Sequence, residues 1–104
     1  MAKAHVKSGI CGFETTITAT ANDDDLIELK VESNCPMVMS GAKLLEPMDP
    51  LVEMFKKPGE TEIYRVMSAH IKHTACPVCT AMLKAVEVEA GLALPKDVEI
   101  KIES

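Results

Sequence analysis

The feature that most constrains the fold of this 104-residue chain is a pair of alternating segments on either side of an acidic turn. Phe13, Thr15, Ile17 and Ala19 form one period-two set, and Ile27, Leu29 and Val31 form another between Glu28, Lys30 and Glu32. Side chains alternate across a strand, so each set defines the buried face of a half-exposed strand. Asn22-Asp-Asp-Asp25 has turn chemistry, and residues 13–20 and 26–33 are therefore expected to form an antiparallel hairpin. Residues 3–8 offer a third strand. Near the end of the chain Val98, Ile100 and Ile102 alternate with Asp97, Glu99, Lys101 and Glu103, the clearest strand signature of all.

The middle of the chain has helical signals. Asn34 or Cys35 can cap a helix that has Pro36 at its first position, where a missing N–H costs nothing, and that continues through Met37 to Leu45 despite Gly41. Asp49-Pro50 starts a second helix with Leu51, Val52, Met54 and Phe55, stopped by Lys56-Lys-Pro-Gly59. In residues 61–70, Ile63, Val66 and Met67 fit a helical stripe, although a strand also fits. The last helix is expected to begin near Thr74 to Cys76, with Pro77 in its first turn, Val78, Met82 and Val86 on one face, and Gly91 at its end. No repeat or linker divides the chain. Residues 1–104 are expected to form a single α+β domain: a small antiparallel sheet of about three to four strands, packed on one side by three to four helices.

A chain of this length can bury a core without covalent staples, so its four cysteines call for another explanation. Aromatic residues are scarce, and seven methionines are expected to fill gaps in an aliphatic core. The net charge of −5, with no basic stripe, argues against a nucleic-acid partner. No apolar run approaches membrane-helix length, and Met1-Ala-Lys-Ala-His-Val-Lys7 lacks the apolar core of a secretory signal. A soluble, cytoplasmic protein with reduced cysteines is the expectation.

The cysteines all fall at expected element ends. Cys11 lies in Gly9-Ile-Cys-Gly12, Cys35 in Asn34-Cys-Pro36, and Cys76 and Cys79 in His73-Thr-Ala-Cys-Pro-Val-Cys79. A helix N-terminus favours thiolate, the form that binds metal, and CxxC spacing sets two sulfurs on the same side of a first helical turn. Zinc or an iron–sulfur cluster would then need two further ligands, with Cys11 and Cys35 as donors. His73 extends the run to His-x2-Cys-x2-Cys and is a candidate ligand or a neighbour of the ligands. His5 and His70 lack such spacing, and Asp23-Asp-Asp25 lacks the interleaved oxygen ligands of a calcium loop. No hydrolase elbow, phosphate-binding glycine loop or zincin helix is present, so a classical enzyme is not indicated. Alternatives are a thiol redox protein using the CxxC pair and an interaction module with a purely structural metal. A face around Met48 to Phe55 would support a homodimer if exposed, while burial within the monomer is the plainer reading.

These elements together resemble the iron–sulfur cluster assembly scaffolds of the NifU N-terminal and IscU-like family, and the related TSCPD-type domains. Cys11-Gly12 precedes a hairpin, Cys35 follows it and opens a helix containing Val38-Met-Ser-Gly-Ala42, and His73 with Cys76 or Cys79 opens the last long helix before Ala81-Met-Leu-Lys-Ala-Val86. The order and approximate spacing are similar over residues 9–90. The resemblance implies that Cys11, Cys35 and Cys76 gather at one end of the domain, with Cys79 or His73 completing a zinc or iron–sulfur site. It also implies protein partners in cluster or metal delivery. Phe13 stands where those scaffolds have an acidic residue, and Met67-Ser-Ala-His-Ile-Lys72 stands in place of their chaperone-recognition segment. With its extra cysteine, the chain is expected to hold a metal rather than donate it.

Overall fold

The computed structural model describes residues 1–104. Three strands, β1 (Ala2–Lys7), β2 (Glu14–Ala21) and β3 (Ile27–Ser33), form an antiparallel sheet in the order β1-β2-β3. Four helices follow: α1 (Pro36–Ala42), α2 (Pro50–Glu53), α3 (Glu62–Met67) and α4 (Val78–Glu89). The expected α+β architecture is present, with helices against one face of the sheet.

Register explains why one face is buried. Ile17 of β2 is paired with Ala4 of β1 and Val31 of β3, so the three side chains form one row on the inner face. Lys3, Thr18 and Lys30 form an outward row on the opposite face. The acidic turn works through Asn22, whose Oδ1 accepts from the backbone N–H groups of Asp24 and Leu26, while Asp25 adopts φ +59°.

Ile17, Ile27, Val38, Ile63, Met67, Val78, Met82 and Val86 are the largest fully buried side chains. Each such burial contributes about 1.5–3 kcal/mol. Gly41 allows α1 to approach α3 closely: a Cβ there would lie 2.8 Å from Met67 Sδ. Glu53, 2% exposed, accepts hydrogen bonds from the N–H groups of Glu62 and Ile63 and so satisfies the first turn of α3. Thr61 adds the side-chain cap, accepting from Tyr64 N–H.

Four expectations need correction. Residues 97–103 are not a strand; they lie outside every helix and strand and are exposed and unpaired. Their alternation describes a segment suited to a sheet edge, but no edge of this chain receives it. The first helix ends at Ala42 rather than Leu45. The last helix starts at Val78, since Pro77 occupies the N-cap. The Met48 to Phe55 face divides, with Met48 buried and Leu51, Val52 and Phe55 exposed.

Candidate metal centre

The sheet register fixes where each cysteine lies. Lys7 is paired with Glu14, and Thr15 with Ser33, so the end of β1, the start of β2 and the end of β3 share one end of the sheet. The turn carrying Cys11 connects the first two of these elements, and Cys35 follows the third directly. Two hydrogen bonds tie these segments together. Glu14 N–H donates to Asn34 Oδ1 at 2.9 Å, and Asn34 N–H donates to the Glu14 carbonyl at 3.4 Å.

Cys11 is exposed, within a turn closed by Gly12 N–H donating to the Gly9 carbonyl at 2.9 Å. Gly9 and Gly12 have φ of +92° and +75°, left-handed conformations that favour glycine. Cys35 is buried at the N-cap of α1, and its N–H donates to Ser33 Oγ at 3.0 Å. Ser33 Oγ is also within 2.8 Å of Thr15 Oγ1, joining the start of α1 to the central strand.

The other pair reaches the same end through α4. At the far end of that helix, Glu89 accepts from the N–H groups of Ala2 and Ala21, both at 3.0 Å, at the opposite end of the sheet. The helix packs along β1 and β2. Its twelve residues span about 18 Å, close to the roughly 20 Å of a six-residue strand, so its N-terminus lies toward the cysteine end. Cys76 precedes the helix, with its N–H donating to the His73 carbonyl at 3.1 Å, and is half-buried. Cys79, in the first turn, belongs to the same buried cluster as Cys35.

The expected thiolate preference at the start of this helix does not hold for Cys79. Burial pushes its thiol up to about 11, and the neighbouring Cys76 adds to the effect. Removal from water outweighs the helix dipole here. The CxxC pair also straddles the helix boundary rather than sharing a helical turn.

The four cysteines are free thiols. The segments bearing Cys11 and Cys35 share one end of the sheet, and Cys79 lies in the same buried cluster as Cys35, but no three His, Cys, Asp or Glu side chains form a ready-made group able to hold a metal ion. His73 is exposed beside this end. His70 lies elsewhere in the packing, with Nδ1 2.8 Å from Ser40 Oγ, and His5 is 3.2 Å from Thr16 Oγ1 on the outer sheet face. Asp23 to Asp25 lie at the opposite end of the sheet and serve the hairpin turn. Glu53 and Glu89, the two carboxylates with the most consequential backbone contacts, carry no sequence signal because their partners are far away along the chain.

The fold and the distribution of thiols define a small α+β domain with a cysteine-bearing end. The chain belongs to a family of unknown function, DUF6951, whose model matches residues 2–102. No curated protein and no solved structure matches the chain. No helix is long and apolar enough to cross a membrane.

Proposed function

We propose that this chain is a metal-binding protein that holds zinc or an iron–sulfur cluster through Cys11, Cys35, Cys76 and Cys79, with His73 as a ligand or hydrogen-bonding neighbour. The observation that carries the proposal is the placement of the Cys11 and Cys35 segments at one end of a small sheet, with Cys79 in the same buried cluster as Cys35. Cys35 and Cys79 would form the inner, dry side of the site and Cys76 its half-buried side. Cys11 would close it from the exposed Gly9–Gly12 turn. Binding then requires the turn and the segment before α4 to draw together, so metal affinity and local order are coupled.

The role follows the resemblance to cluster scaffolds, with a holder or accessory protein favoured over a donor because four thiolates retain a metal more firmly than three. Dithiol redox chemistry, with the half-buried Cys76 as nucleophile and the buried Cys79 as its resolving partner, is the alternative reading. In the metal-binding reading, a bound cation would stabilise the Cys79 thiolate directly against the burial that pushes its thiol up to about 11.

The test is the metal content of Cys11→Ala and Cys35→Ala proteins prepared beside the unaltered chain without oxygen or chelator. Loss of bound zinc or iron in both variants is expected. Unchanged metal in both would contradict the four-ligand site.

A further inference from the structure

We propose that the chain forms a reciprocal homodimer in which residues 97–103 of each copy add as a fourth strand to the free edge of β1 in the other copy. Beyond Leu92 no backbone group forms a hydrogen bond within the chain. Val98, Ile100 and Ile102 are 58%, 73% and 90% exposed. A strand-like segment with one apolar face and an unpaired backbone is suited to augmenting a sheet. The family match runs through residue 102, so this segment is part of the domain rather than an appendage.

Charge selects the edge. The sheet has two outer strands, and β1 turns Lys3, His5 and Lys7 toward solvent, whereas β3 turns out Glu28, Lys30 and Glu32. Asp97, Glu99 and Glu103 of the terminal segment complement the first set and are repelled by most of the second. The outer edge of β3 is also partly occupied, because Ile27 bridges to Met48. The edge of β1 carries no such bridge, and only at its start is a backbone group taken, the Ala2 N–H that donates to Glu89.

Register and direction support a second copy as the partner. In the antiparallel register that sets Ile100 opposite Val6, Ile102 faces the small Ala4, Glu99 faces Lys7 and Glu103 faces Lys3. Lys101 then meets His5 rather than another lysine. The inner face of β1, Ala2, Ala4 and Val6, is only partly buried and gains large aliphatic neighbours. Within one chain the direct route gives a parallel pairing, since α4 ends beside the start of β1. Exchange between copies permits the antiparallel pairing, which is more stable per residue.

The test is solution mass by light scattering across a concentration series, with reductant present to exclude disulfides through Cys11. The full chain is expected at twice its 11.3 kDa mass. Glu99→Lys/Glu103→Lys should raise the dimer dissociation constant at least about tenfold, since like charges then face one another. Adding Lys3→Glu and Lys7→Glu to that variant should restore the dimer. A chain ending at Lys96 should be monomeric, with a cooperative unfolding transition and a β-signal in circular dichroism reduced only by the loss of the added strand. A full chain that is monomeric at every concentration would overturn the proposal. So would a dimer that survives truncation, which would point to the exposed Leu51, Val52 and Phe55 face. A monomer with residues 98–102 protected from amide exchange would also overturn it, by showing pairing within one chain.

Discussion

Cys79 shows how burial decides the behaviour of a residue that sequence alone assigns differently. Its position at the start of a helix argues for a thiolate, but its side chain lies in the apolar cluster with Val78 and Met82. In metal-free native protein at neutral pH, Cys11 is expected to be alkylated first and Cys79 last, with all four thiols reacting after unfolding. Mass spectrometry of a timed labelling series reads this order, and early labelling of Cys79 would contradict it. Glu89 behaves in the opposite sense. The Ala21 amide is the largest influence holding its carboxyl below the ordinary value of 4.5, and the terminal ammonium and Ala2 amide act the same way against opposing burial. A carboxylate depressed in the folded state contributes stability above its unfolded value, and that contribution disappears as pH falls through its folded value. Glu89→Ala should therefore cost about 1–2 kcal/mol near neutral pH, with a smaller difference in acid, as measured by denaturant unfolding at several pH values.

The elements differ in how fully the sequence declares them. Alternation gives β2 and β3 almost to the residue, because one face of each is buried and the other meets solvent. The same alternation over 97–103 predicts a strand that the single chain does not form, since a strand needs an edge as well as a pattern. A helix start shifts where proline decides it, as at Pro77. Glu53 is legible only in three dimensions, because it caps α3 from nine and ten residues away. Glu53→Ala would leave two N–H groups in a largely buried setting unpaired and should destabilise by about 2–4 kcal/mol. Met82→Ala, which empties a fully buried position on α4, should cost about 2–5 kcal/mol. Thermal or urea unfolding of each variant supplies the comparison.

At the scale of the whole molecule, the two ends of the sheet differ. The segments bearing Cys11 and Cys35 meet at one end, and Glu89 fastens the last helix to the other. The cysteine motifs were legible in the sequence as candidates, and the convergence of their segments follows from the strand register and the run of α4. The ligand geometry was not legible, since it depends on how two exposed segments close around an ion. A site assembled by the fold binds metal in the native state in preference to the unfolded one. Saturating zinc at about 100 times its dissociation constant should then add about 2.7 kcal/mol of stability, and chelator should remove it.

The central claim is tested most directly by elemental analysis with a visible spectrum on protein purified without oxygen or chelator. The metal-centre account predicts about one zinc per chain, or iron with acid-labile sulfide and visible absorption. Protein free of both metals, with all four thiols titratable, would contradict it.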